Sequence, residues 1–270
     1  MPQDIMISRC APHFWEEPPI SGTRGSGTVF FTGCNLKCVF CQNAVISRDH
    51  MGEAVSPDLL IQKMLSLAEQ GVHNINLVTA SHYTEALIPV LEVVKSKLRI
   101  PIVWNSSGYE SVEALRRLEG LVDIYLPDFK YISTELSAAY SAAPDYAEVA
   151  SLAVKEMYRQ TGKPVFNSEG IMQRGVIIRH LVLPGCRKDS LEVVRHLADL
   201  LPKDGFKLSL MRQYTPEFAL HTPYKNLHRR VTDFEYTSVC EEALRLELDG
   251  YTQGKDSATS DFTPDFHGKS

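Results

Sequence analysis

The 270-residue chain lacks the features that mark membrane, secreted or nucleic-acid-coating proteins. No apolar run approaches the ~18–20 residues needed to span a bilayer. The opening Met1-Pro2-Gln3-Asp4 has neither the basic flank nor the apolar stretch of a secretory signal. There is no cationic excess: 28 basic side chains face 33 acidic ones, for a formal charge of −5. A general attraction to phosphate backbones or anionic lipid is therefore not expected. Six cysteines are too few for a disulfide scaffold. These absences predict a soluble, cytoplasmic protein with no nucleic-acid and no membrane partner. What the chain does have is 44% hydrophobic residues, enough for one domain of roughly 250 residues plus a short tail.

Those hydrophobic residues fall into a regular alternation. Short, nearly continuous apolar runs at 28–32, 75–79, 101–104, 122–126, 175–183 and 207–211 read as strands. Between them lie helical patterns at 57–70, 83–98, 111–118, 133–141, 145–161 and 189–201, with a last one at 232–247. Strands that are apolar throughout and alternate with amphipathic helices indicate parallel βα units covered on both faces. Six such units suit an open doubly wound sheet or a partial β/α barrel, and both place chemistry at the C-terminal strand ends. The expected division is an irregular segment over 1–27, the α/β body over 28–250 and a tail over 251–270.

The first strand runs into Cys34-Asn35-Leu36-Lys37-Cys38-Val39-Phe40-Cys41, three of the six cysteines within eight residues. Thiolates in one loop can converge on a metal centre. A structural zinc site usually pairs cysteines across a long gap, and no second Cys-x-x-Cys pair is present. His50 would be the nearest fourth ligand, nine residues further on, where a loop histidine is ordinarily just solvated. An iron–sulfur cluster held by three cysteines leaves one iron open, which suits a site that binds something else there. The segment resembles the signature of radical S-adenosylmethionine (SAM) enzymes. In that superfamily three cysteines hold a 4Fe-4S cluster, SAM chelates the fourth iron through its amino and carboxylate groups, and the fold is a partial (β/α)6 barrel. A wider similarity over residues 8–250, including the opening His13-Phe14-Trp15-Glu16-Glu17-Pro18-Pro19-Ile20-Ser21-Gly22, is to pyruvate formate-lyase activating enzymes and their relatives.

The resemblance implies a ligand role for Cys34, Cys38 and Cys41 and places Phe40 with the cofactor-binding residues. It also assigns roles to the other strand ends. Thr79 and Ser81, with His82 beside them, stand where activating enzymes carry Gly-Gly-Glu around the SAM amino group; a helix-cap neighbour is an equal reading of His82. Asn105 and Ser106 are similar to the family's Asp-Thr-Asn-Gly, although Asn, Ser and Gly also make ordinary turns. Asp128 and Lys130 resemble Asp-x-Lys, and residues two apart on an extended segment share a face. A plain structural ion pair is their alternative. Arg179 lies within an apolar strand and must find a partner, because an unpaired buried charge is costly; the resemblance directs it toward SAM, and Asp128 is its structural alternative. Met211 and Tyr214 fall where the family contacts adenine, though such residues also serve as plain core. Cys186 reads as a small buried thiol, and Cys10 and Cys240 carry no functional expectation.

The implied function is reductive SAM cleavage to a 5′-deoxyadenosyl radical that abstracts hydrogen, with an external electron donor such as flavodoxin or ferredoxin. The leading substrate is a glycine of a glycyl-radical enzyme, which would make the chain an activase of the radical SAM oxidoreductase class. The alternatives are radical modification of another peptide or a small metabolite, and a non-enzymatic metal-stabilised binding scaffold. The aromatic and acidic residues His13, Trp15, Glu16 and Glu17 are expected to help close the barrel over a reactive radical.

Overall fold

A computed structural model describes residues 4–254. The chain enters through strand β1 (Ile5–His13), makes one turn of helix α1 (Pro18–Ser21), and continues as β2 (Ser26–Phe31). After the cysteine loop come a single turn α2 (Ala44–Ser47) and a short strand β3 (Glu53–Val55). Regular alternation then begins: α3 (Pro57–Glu69), β4 (Ile75–Val78), α4 (Thr84–Lys97), β5 (Ile102–Ser106), α5 (Val112–Arg117) and β6 (Ile124–Pro127). Two helices follow, α6 (Thr134–Ser141) and α7 (Tyr146–Thr161), then β7 (Val165–Phe166) and β8 (Met172–Leu181). The chain closes with α8 (Arg187–Leu200), β9 (Lys207–Met211), α9 (Asp233–Arg245) and β10 (Gly250–Thr252).

The helices start where their caps dictate. Ser56, Ser111 and Ser133 each accept a hydrogen bond from the backbone N–H three residues on, and Thr232 forms a reciprocal capping box with Glu235. Their apolar faces, through Leu60, Met64, Leu87, Leu91, Val154 and Val193, pack on outward-facing strand residues such as Leu77, Trp104, Tyr125 and Ile178. With both faces covered, β2, β4, β5 and β6 are buried along their whole length, which is why their sequences read as continuous apolar runs.

The sheet runs β10-β9-β8-β6-β5-β4-β2-β1-β3, with β7 paired to β8 off this path. From β2 to β10 neighbouring strands are parallel, and β1 and β3 are antiparallel additions at one edge. The six strands read from the sequence are β2, β4, β5, β6, β8 and β9. They form an open α/β partial barrel, the second of the two arrangements that six βα units allow.

The opening segment is a correction. Residues 1–27 were expected to be irregular, yet Ile5–His13 forms a nine-residue strand paired with β2 from Ile7↔Phe31 to His13↔Ser26. At the other end, Tyr251 and Thr252 belong to β10 rather than to a tail; the rest of that expected tail, from 255 on, lies outside the described residues.

Helix α1 sets the depth of the barrel interior. Its Ile20 packs with Val103, Ile124, Leu126, Met172 and Ile177 in an apolar cluster toward the N-terminal ends of the strands. One step up the same strands the inward positions turn polar: Asn105 follows Val103, and Arg179 follows Ile177. Parallel register aligns Arg179 with Ser209, and Ser209 with Tyr251. Among the described residues no helix is long and apolar enough to cross a membrane.

Candidate functional site

The cysteine loop leaves β2 through Gly33, whose φ of 87° lies in the left-handed region and whose missing Cβ leaves room for the His82 ring. His82 Nε2 donates to the Thr32 carbonyl at 2.7 Å, and Gly33 N–H donates to the Ile46 carbonyl at 2.9 Å. His82 thus braces the strand end on which the loop is built. Further along, Lys37 and Val39 N–H groups donate to the carbonyls of Ser141 and Tyr140 at the end of α6.

Held this way, Cys34, Cys38 and Cys41 all line one cavity of about 580 Å³ at the C-terminal end of the sheet. Leu36 N–H donates to Cys34 Sγ at 3.4 Å, while Cys38 and Cys41 lie 3.1 and 3.3 Å from the hydroxyls of Ser141 and Ser47. Burial pushes the Cys34 thiol up to about 12, with the neighbouring sulfurs adding to the effect, and burial also raises Cys38. These sulfurs stay protonated at neutral pH unless a cationic centre draws off the protons. Among the described residues no three His, Cys, Asp or Glu side chains gather closely enough to hold a single metal ion. A cubic cluster instead takes one thiolate at each of three separate corners. Three sulfurs on one loop, each beside a hydrogen-bond donor and all facing one cavity, fit that demand.

Across the cavity the strand ends assemble a charged network. Asp128, just past β6, accepts from Lys130 Nζ at 2.6 Å and from Arg179 Nε at 3.0 Å. Arg179 Nη2 also donates to Asn105 Oδ1 at 2.7 Å. Burial alone would raise the Asp128 carboxyl, but Arg179 and Lys130 outweigh it and hold the group below its ordinary value. Gly108 permits this packing: at φ 74° it passes against the Asp128 carbonyl, where any Cβ would collide.

Phe40, Thr79, Asn105, Ser106, Asp128, Lys130 and Arg179 all line the same cavity as the three cysteines. Arg179 and Asp128 do both things foreseen for them, pairing with each other while facing that cavity. Two of the expected residues, Ser81 and Tyr214, lie off that cavity. Ser81 sits in a 3-10 turn, donates to Glu110 Oε1 at 2.8 Å and lines a neighbouring pocket instead. Tyr214 is buried with its hydroxyl donating to the Leu227 carbonyl at 2.6 Å and its ring edge-on to Phe40; Met211 and Gln213 occupy the cavity wall beside it. Cys186 is a buried thiol at the start of α8, as expected.

The sequence reading missed how deep the acidic pair reaches. Phe14 and Trp15 stand at the cavity wall with 52% and 57% of their surface exposed. Glu16 and Glu17 turn inward beside them. Glu16 accepts from Asn76 and Asn105 amides at 3.0 and 3.2 Å and from Arg179 at 3.4 Å. Glu17 is only 8% exposed. Burial raises both carboxyls; Arg179 offsets part of this for each. The available signal was the placement of two adjacent acids directly before Pro18-Pro19, a context that fixes their backbone and starts α1.

Comparison with known proteins bears on this arrangement. A protein of Methanocaldococcus jannaschii, described as uncharacterised, is 32% identical over 233 residues, which cover 83% of this chain and 63% of that protein. Among solved structures, a radical SAM methyltransferase from Sphaerobacter thermophilus overlays with a TM-score of 0.56 at 14% identity, over 84% of this chain and 65% of that one. The chain thus spans less than two thirds of each of these two relatives. A variant of spore photoproduct lyase overlays with a TM-score of 0.52 at 12% identity, over 82% and 74% of the two chains. At such identities these structures share the fold alone. The family model described as the radical SAM superfamily matches residues 28–211, from β2 to the end of β9 and through the whole cysteine loop. The chain therefore belongs to the radical SAM superfamily, whose members bind a 4Fe-4S cluster and S-adenosylmethionine.

Proposed function

We propose that the protein is an enzyme that cleaves SAM reductively and uses the product to take hydrogen from a C–H bond. One observation carries this reading: the three thiols face, across a single cavity, polar side chains delivered by β5, β6 and β8. With its cofactors bound, the family's chemistry is one-electron cleavage of the SAM sulfonium to methionine and a 5′-deoxyadenosyl radical. Cys34, Cys38 and Cys41 would ligate the cluster. Lys130, Asp128 and Arg179 offer paired charges of both signs for the zwitterionic end of SAM, and Asn105, Ser106 and Thr79 offer short polar contacts. Phe30, Phe40 and Met211 supply the apolar wall that keeps water from a reactive species. An external reductant such as flavodoxin or ferredoxin would supply the electron.

For the substrate, the similarity to activating enzymes supports a glycine on a glycyl-radical enzyme. A second reading, a small metabolite, is favoured by the closure of the barrel below the site by Ile20 and the two carboxylates. Anaerobic incubation with dithionite and SAM is expected to yield 5′-deoxyadenosine, and Cys38→Ala to abolish both the visible iron–sulfur absorption and that product. Wild-type turnover in the variant would refute the ligand assignment. A glycyl-type paramagnetic doublet on a candidate partner protein would select the activase reading, and its absence with a metabolite consumed would select the other.

A further inference from the structure

The charges around the cavity do not balance. Its lining carboxylates are Glu16, Glu17 and Asp128, and its lining cations are Lys130 and Arg179. Both cations are engaged by Asp128, at 2.6 Å and 3.0 Å. Arg179 reaches Glu16 only at 3.4 Å. Glu17 is more deeply buried; its carboxyl accepts from the Ser209 hydroxyl, while its Oε2 has no hydrogen-bond partner among the described residues. Asn76, fully buried on β4, donates its amide to Glu16 while its own Oδ1 is left without a donor. Of these two unpartnered acceptors only Glu17 belongs to the cavity lining, and a buried acceptor left without a donor is costly.

An acceptor without a donor, in a lining with three carboxyl groups to two cations, suits a ligand rich in N–H that brings its own positive charge. We infer that Glu17, with Glu16, forms a binding site for a protonated amine or guanidinium group of a small substrate. The site lies below the cysteine loop and just above the Ile20 cluster, so a molecule anchored there would extend upward toward the SAM position. This rests on the enzyme reading above and adds a substrate class to it. A metal cation is the poorer occupant, since no three acidic, His or Cys side chains gather around one point among the described residues. Tyr251, aligned with Ser209 and lining the same cavity, adds an aromatic ring of the kind that favours organic cations.

The test uses the anaerobic, cluster-reconstituted protein saturated with SAM and follows its thermal transition at constant ionic strength. Agmatine and putrescine are the cationic probes; 1,4-butanediol and glutarate are the neutral and anionic controls. The expected result is saturable stabilisation by the cations only, with SAM still bound, and at least tenfold weaker probe binding in Glu17→Gln. Tyr251→Leu, which removes the aromatic ring from the same cavity and leaves both carboxyls, is the localising variant should Glu17→Gln fail to fold. Equal stabilisation by butanediol, by glutarate, or by sodium or potassium at the same ionic strength would overturn the inference. So would displacement of SAM by the amines, which would assign the carboxylates to SAM itself. Selective amine binding without 5′-deoxyadenosine formation would remove the enzyme reading and leave this site; the reverse pattern would do the opposite.

Discussion

Asp128 shows how much of the site depends on one side chain. It is the common partner of Lys130 and Arg179, both buried in the cavity wall. Replacing it with Asn keeps the shape but leaves Lys130 without its anion and Arg179 with only Glu16, at 3.4 Å. Removing one partner of a buried pair typically costs about 3–5 kcal/mol. For Asp128→Asn this corresponds to a fall of roughly 10 °C in the melting temperature of a chain of this size, measured by calorimetry on the apo protein. A change under about 2 °C would show that the network contributes no stability. The cysteines were legible by contiguity and Arg179 by its charge within an apolar strand, whereas Asp128 and Lys130, just past theirs, stood out through the resemblance to Asp-x-Lys. Ser81 and Tyr214 were not. Past the last strand residue, direction depends on the turn, and Thr79 at φ 57° swings the following Ser81 out of the cavity. Strand alternation predicts orientation only as far as the strand lasts.

At the scale of elements, α1 and β1 are what the sequence reading left out. Pro and Gly made residues 1–27 read as irregular, and they mask the antiparallel strand Ile5–His13, which needs only one buried face and so carries no continuous apolar run. The single helical turn Pro18–Ser21 is too short for any periodic signal, yet it delivers Ile20 to the bottom of the barrel and Glu16 and Glu17 to the cavity. Ile20→Ala should cost about 2–5 kcal/mol. It should also raise the yield of uncoupled 5′-deoxyadenosine, because a loosened cavity lets the radical take hydrogen from C–H donors other than the substrate. If stability falls but uncoupling does not change, α1 is only a packing element. The longer elements were legible because each carried its own period and its own stop signal, as with Ser56-Pro57 before α3 and Ser111 before α5.

Over the whole molecule, six βα units could be counted from the sequence, but the partial barrel could not be told from a doubly wound sheet without the family resemblance. Strands β3, β7 and β10 are three residues long or shorter and gave no pattern. The global pH response has an identifiable contributor in His180, buried in β8 with Nδ1 donating to the Phe129 carbonyl at 2.7 Å. Burial, reinforced by Lys130, lowers its pKa from 6.5 to about 4. Between those values the unfolded chain binds the extra proton, so this contribution to stability is present above pH 6.5 and is lost as pH falls toward 4. The slope is at most about 1.4 kcal/mol per pH unit. His180→Asn, which keeps a donor for Phe129, should flatten the dependence of melting temperature on pH over that window relative to the parent; parallel curves would exclude His180. All of the proposed chemistry, finally, requires an iron–sulfur cube whose uncapped corner receives SAM. Electron paramagnetic resonance of the dithionite-reduced, reconstituted protein decides this. A reduced-cluster signal that changes shape when SAM is added is the expected result; no cluster signal, or a signal indifferent to SAM, would contradict it.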